Sequence, residues 1–223
     1  MNFRVNRTPL FLESLFPSII WGGADRQNGA IYLTFDDGPD PLTTPLILDF
    51  LNANRIPAAF FFRGDRIEAH HDLMSQLDFR LHLIGYHGFT HRAWCFLSKN
   101  QREKEMNPFS HEESILTETY RNQNHPLLLR PPYGRFTLIT LRQIKMLKGR
   151  LVLWRLVLND WLSGKIEDQI ADDFISQVCP GDIVVFHDGG KNGHLLQRVL
   201  EKSIPCLLQS GLHFGSLAEL CGQ

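Results

Sequence analysis

Seven short stretches of the chain are almost wholly apolar, aromatic or β-branched: 31–35 (IYLTF), 58–62 (AAFFF), 82–86 (HLIGY), 127–129 (LLL), 151–158 (LVLWRLVL), 183–186 (IVVF) and 212–214 (LHF). Such near-continuous runs read as strands buried on both faces. Between them, 43–54, 65–77, 111–122, 137–147, 166–178 and 194–209 place apolar residues at helical spacing. Strands alternating with helices predict an α/β domain with a parallel sheet covered by helices. Seven strands in one domain point to a closed or nearly closed barrel, with an open doubly wound sheet as second choice. The polar stretch 98–114 is expected to be a loop. Residues 1–29 read as an N-terminal arm packed on a catalytic-size domain, 30–223. Glu13 and Ser14 interrupt the arm's apolar run and no small-residue cleavage site follows, so a signal peptide is not expected. No apolar run has the length of a membrane span. Nothing in the sequence indicates export, which leaves the compartment open.

The polar residues interrupt this pattern at particular places. Strand 31–35 is followed by Asp36-Asp37-Gly38-Pro39, strand 82–86 by His87-Gly88-Phe89-Thr90-His91, and strand 127–129 by Arg130-Pro131-Pro132-Tyr133-Gly134. Asn159-Asp160-Trp161 follows the fifth run, and His187-Asp188 the sixth. In parallel α/β folds the C-terminal edge of the strands carries the active site. The order of elements therefore argues for an enzyme before any single motif does.

Two adjacent carboxylates repel each other unless a cation or a proton separates them. A helix cap would need only one aspartate. His87 and His91 stand four residues apart and share a face if the stretch is helical or turn-like. One aspartate with two histidines leaves a position open, as in catalytic zinc sites. The Arg130–Gly134 turn is rigid, because proline restricts φ and glycine permits unusual angles. It is either a tight connection only, or a mount for Arg130, which then pairs with one of the aspartates. His187 is a further candidate. Its neighbours Asp182 and Asp188 are expected to point elsewhere. Trp154 and Trp161 read as core or pocket wall, with sugar stacking on Trp161 as the sharper alternative. His70 and His71 are expected at the surface, and His111 and His125 in loops.

Composition narrows the field. Twenty-three basic residues nearly balance 24 acidic ones, which argues against non-specific nucleic-acid binding. The four cysteines form no C-x-x-C, so a zinc ribbon is not expected and they read as ordinary thiols.

Together, TFDDGP (34–39), HGFTH (87–91), RPPYG (130–134), LVLNDW (156–161) and IVVFHD (183–188) resemble the five motifs of the polysaccharide deacetylase family, the NodB-homology domain or carbohydrate esterase family 4. The resemblance spans residues 30 to 217, the arm FLESLFPSIIW also resembles bacterial members, and the fold it implies is a distorted (β/α) barrel of fewer than eight repeats, here about seven parallel strands. It implies removal of acetyl groups from N-acetylated sugars such as peptidoglycan or chitin-like oligosaccharides, with water activated by a divalent metal, usually zinc. By motif, Asp37, His87 and His91 would be metal ligands and Asp36 the general base held by Arg130. The Tyr133 N–H would help stabilise the oxyanion, His187 would be the general acid, and Tyr133 and Trp161 would contact substrate. Four positions depart from the pattern. Tyr86 stands where Asn is usual, and Gly88 where Ser or Thr is frequent. Val157 stands where many members carry an Asp that supports the catalytic His, and Arg155 lies where some relatives have an acid. Without a carboxylate partner a buried His has a depressed pKa, so a weakened acid is expected at His187 unless Asp160 bends inward. A carbohydrate-binding or weakly active homologue, and a deacetylase or amidase of a small substrate, remain alternative readings.

Overall fold

The computed structural model describes residues 7–23, 28–110, 120 and 125–221. Its strands are β1 (Ala30–Asp36), β2 (Ala58–Phe62), β3 (His82–Tyr86), β4 (Leu128–Leu129), β5 (Arg150–Leu151), β6 (Leu156–Val157), β7 (Ile183–His187) and β8 (His213–Phe214). Seven of them run in the order β5-β4-β3-β2-β1-β7-β6, and β8 pairs with β1. Every pairing between these strands is parallel. The sheet curls into an α/β half-barrel, as the strand–helix alternation predicts.

The run 151–158 is not one strand. It splits into β5 and β6, which lie on opposite edges of the sheet. The segment between them crosses the opening, which is why the sheet curls without closing by a direct β5–β6 pair. The arm fills that gap. Ile20 N–H donates to the Leu151 carbonyl and Leu153 N–H to that of Ile20, while Thr8 N–H donates to the carbonyl of Arg155. Arg155, at the position where some relatives have an acid, is tied to the arm. Its guanidinium forks onto Glu13 at 2.6 and 2.7 Å and donates to the carbonyls of Gly23 and Gly181. Arg7 in turn forks onto buried Asp182 at 2.8 and 2.9 Å. Gly22 permits this approach, since a Cβ there would lie 2.3 Å from the Gly181 carbonyl.

Both sheet faces are buried, and the strands' period of two sorts them. Ile31, Leu33 and Phe35 join Phe60, Phe62, Ile84 and Phe186 under the helices Thr44–Ala53, Glu167–Gln177 and Leu196–Gln209. Tyr32, Ala59, Phe61, Leu128, Val152 and Ile183 fill the concave side. Thr34, Asp36, Arg130 and His187 fall on the same alternation as that second set. Two predictions, one helical and one of a loop, change. Segment 65–77 becomes the helix Gly64–Ala69 and a 3-10 turn His71–Gln76. The expected loop 98–114 contains the helix Lys99–Met106, begun by a reciprocal Ser98–Gln101 capping box. The helix predicted at 111–122 and His111 lie outside the described residues, Tyr120 excepted. No described helix is long and apolar enough to cross a membrane. The four cysteines are free thiols.

Candidate active site

Strand register brings the polar strand ends to one level. Asp36 pairs in register with His187 across β1 and β7. Tyr86 pairs with Leu129 across β3 and β4, so the residues that follow, His87 and Arg130, emerge side by side. Four chain-distant groups thus meet at the C-terminal edge of the half-barrel.

Asp36 and Asp37 part company there. Asp36 is buried, and its Oδ1 accepts a 2.6 Å bond from Arg130 Nη1. Arg130 is fully buried, stacks 3.9 Å from the Phe61 ring centroid, and also donates to Thr34 Oγ1 and to the carbonyls of Val152 and Leu153. The other Asp36 oxygen lies 3.8 Å from His87 Nε2. Asp37 turns away at a left-handed φ of 76°, uncommon for a residue with a side chain. Its Oδ1 lies 3.2 Å from His91 Nε2 and 3.9 Å from His87 Nε2. That oxygen is buried and has no hydrogen-bond partner among the described residues.

Asp37, His87 and His91 offer one donor atom each, all within 4.8 Å of one another. His87 Nδ1 donates to the Arg130 carbonyl at 2.8 Å. A carbonyl only accepts, so the proton is on Nδ1 and the Nε2 lone pair faces the aspartates. Burial pushes His87 down to about 3 against the pull of Asp37, and burial lowers His91 too. Both rings are neutral at neutral pH, the state a metal ligand needs. An orphaned carboxylate oxygen between two neutral imidazoles fits a divalent cation.

His87 and His91 meet through a loop, not a helix. Gly88 has φ of 86° and His91 of 61°. The loop is held on both sides. The Gly88 and Phe89 carbonyls accept from Gly64 and Asp65 N–H at 2.9 and 3.0 Å. On the other side, buried Glu105 accepts from Phe89 and Thr90 N–H at 3.1 and 3.0 Å, and from the Thr90 hydroxyl. A Ser or Thr at 88 would be strained, because φ is left-handed there and a Cβ would crowd Trp94 Nε1 at 3.0 Å. Glu105 was not singled out from sequence; the capping box before it is the signal that a helix would present it.

His187 has the partner that its sequence context withheld. Asp160 Oδ1 accepts from His187 Nδ1 at 2.8 Å, and Oδ2 from its backbone N–H at 2.7 Å. Val157 pairs with Val185 inside the sheet. Asn159, at φ of 53°, turns the chain so that Asp160 folds back. Asn192 secures this turn through the carbonyls of Asp160 and Leu162. Burial lowers the His187 pKa, but the charge and hydrogen bond of Asp160, with help from Asp36 and Asp37, outweigh it and raise it to about 9. The expectation of a depressed pKa is therefore overturned. Asp182 points away, as expected. Asp188 is buried and accepts from Gly38 N–H at 3.1 Å and the Thr44 hydroxyl at 2.5 Å, bracing the Asp36–Pro39 turn.

Tyr133 adopts φ of 62°, its ring 4.7 Å from that of His91 and largely exposed. Trp161 packs 4.7 Å from the His187 ring on the other side. Trp154 packs behind the Arg130–Gly134 turn, part of the wall of a 220 Å³ cavity against the arm. His70 and His71 begin and flank the 3-10 turn beyond the helix Gly64–Ala69, away from this cluster.

A profile of the polysaccharide deacetylase family matches residues 23–152. A peptidoglycan-N-acetylglucosamine deacetylase of Bacillus cereus is 32% identical over 85% of this chain and 87% of its own. A chitooligosaccharide deacetylase of Rhizobium leguminosarum bv. trifolii is 32% identical over 75% of this chain and 74% of its own. The structure of Bacillus subtilis PdaA, a family 4 carbohydrate esterase, superposes with a TM-score of 0.80 and 27% identity, covering 99% of this chain and 96% of that one.

Proposed function

Because the chain belongs to the polysaccharide deacetylase family, we propose that it hydrolyses the N-acetyl groups of a glycan, either peptidoglycan or a chitin-like oligosaccharide. The observation that carries this reading is the separation of the two neighbouring aspartates: Asp36 is bound to Arg130, while Asp37 faces two imidazoles. Asp37, His87 and His91 would hold a divalent cation, and one carboxylate with two imidazoles suits zinc. Such a cation, when bound, acts as a Lewis acid toward the acyl oxygen and acidifies water.

The remaining groups supply proton transfer and positioning. Asp36 presents its free oxygen to the site and takes the proton of the attacking water. Arg130 holds that carboxylate in place from a fully buried position. The Tyr133 backbone N–H donates to the oxygen of the tetrahedral centre, where a fixed donor acts without reorganisation. Protonated His187 gives its proton to the departing amine. Asp160 stabilises the imidazolium and sets its orientation. Trp161, beside His187, forms a wall for the sugar ring.

Acetate release from chitotetraose and from peptidoglycan glycan strands tests the reading. Asp36→Asn is expected to keep bound metal and lose ~10²–10⁴-fold in kcat, the range for removing a general base. Asp37→Asn is expected to lose metal. No acetate from either glycan with metal-loaded wild type would overturn the function. Metal loss in Asp36→Asn but not in Asp37→Asn would reverse the two roles.

A further inference from the structure

On the His91 side the site continues into side chains that lie beyond the three candidate ligands. The exposed Tyr133 ring, beside His91, is followed by Arg135 and then by Phe96. The Arg135 guanidinium carbon lies 5.9 Å from the Tyr133 ring centroid and 5.7 Å from that of Phe96, within cation–π reach of both. Tyr133 is 62% exposed and Phe96 75%. A bulky aromatic left this open gains nothing from folding, whereas here two such rings flank one cation.

Arg135 differs from Arg130, Arg63 and Arg66. Arg130 is committed to Asp36, Arg63 to Asp65 and Arg66 to Asp40. Arg135 is exposed and makes no ion pair or hydrogen bond from its side chain with the described residues. Aromatic neighbours bias a guanidinium toward a defined position while its N–H edge remains available. That edge matches a carboxylate in two-point geometry. The nearby carboxylates of the chain have other partners: Asp36 is bound to Arg130, Asp160 to His187, and Asp188 to Gly38 and Thr44.

The geometry points to a subsite in which Arg135, between Tyr133 and Phe96, binds a carboxylate on a sugar next to the one being deacetylated. This deepens the deacetylase reading and rests on it: the preferred substrate is an acidic glycan containing N-acetylmuramic acid, whose lactyl ether carries a carboxylate, and not neutral chitin. The aromatic rings offer stacking to any pyranose, so they serve both glycans; the cation is what separates them. The attraction between exposed charges is screened by salt.

The test uses the full-length, metal-loaded protein with two tetrasaccharides, chitotetraose and a peptide-free glycan of alternating N-acetylglucosamine and N-acetylmuramic acid. Binding is read by calorimetry, which does not need turnover, and acetate release is followed in parallel. Wild type is expected to bind the acidic glycan ~10-fold more tightly, with the difference shrinking as salt rises. Arg135→Glu is expected to abolish that preference while leaving chitotetraose affinity and kcat within about two-fold. Arg135→Lys is expected to restore only part of it, because an ammonium keeps the charge and loses the planar fork. Equal affinity of wild type for both glycans overturns the subsite, as does an equal loss on both in Arg135→Glu. Absence of acetate with binding preference intact overturns the deacetylase reading and not the subsite.

Discussion

His187 and Asp160 make two contacts, one through the ring and one through the backbone, and the pair decides how long the imidazole keeps its proton. An acid must be protonated when the amine leaves. With the pKa raised to about 9, His187 stays charged through neutral pH and loses its proton only as pH approaches that value. Asp160→Asn removes the main opposing charge and leaves burial, which favours the neutral ring, against only the weaker pull of Asp36 and Asp37. The alkaline limb of kcat/KM against pH is then expected to move to lower pH, with at least ~10-fold loss at pH 8, one unit of pKa being about 1.4 kcal/mol. Val157→Asp is expected to leave that limb in place, since Val157 is paired within the sheet at β6. An unmoved limb in Asp160→Asn would mean that another group supplies the proton.

Among the elements, the helix Lys99–Met106 has the least conspicuous sequence and a direct bearing on the site. It is almost wholly polar, and of its eight residues only Glu105 and Met106 are buried. Glu105 takes up the N–H groups of Phe89 and Thr90 while the N-terminus of the helix Gly64–Ala69 takes up the carbonyls of Gly88 and Phe89. His91 rests in a left-handed conformation that persists only when its surroundings over-determine it. Glu105→Ala takes away the acceptor of the Thr90 N–H and hydroxyl, leaves the Phe89 N–H with the Glu105 backbone carbonyl alone, and so loosens the loop. Metal affinity, read by zinc titration, is expected to fall ~10–100-fold, the range for groups that orient ligands. Glu105→Gln keeps an accepting oxygen and is expected to recover most of it. A lower Tm with unchanged metal affinity in Glu105→Ala would show that the loop stands without Glu105.

For the whole molecule, the half-barrel depends on the arm that crosses its opening. β5 and β6 stand on opposite edges, and residues 7–23 lie across the gap through Ile20, Thr8, Arg7 and Glu13. Arg155 is the knot, buried and bonded to Glu13, Gly23 and Gly181 at once. Removing one member of a largely buried pair leaves the other uncompensated, at about 3–5 kcal/mol. Arg155→Ala is therefore expected to lower Tm by ~6–20 °C in a chain of this size, with the metal site intact in the protein that remains folded. A change of ~1 °C or less in a thermal melt would mean that the arm contributes little to closure.

Apart from the run 151–158, which splits between the two sheet edges, the strands, their parallel pairing and the polar residues at their ends could be read from the chain alone, because a run such as Ile31–Phe35 has to be buried on both faces and a pair such as Asp36-Asp37 has to be neutralised. The five motifs at strand ends marked Asp36, Asp37, His87, His91, Arg130 and His187 in the same way, and register across β1, β3, β4 and β7 brings them together. Which aspartate Arg130 takes, and how a loop rather than a helix joins His87 to His91, depend on backbone angles at Asp37, Gly88 and His91 that residue identity does not dictate. The same holds for the partner of His187. Position 157 is fixed in the sheet by pairing, so the carboxylate had to come from beyond it, and only the turn at Asn159 delivers Asp160. Glu105 and Arg155 act across chain separations of about 15 and 142 residues. Contacts of that kind leave no local pattern, since they exist only once the helix Lys99–Met106 and the arm have packed against the strand ends and the gap they cover.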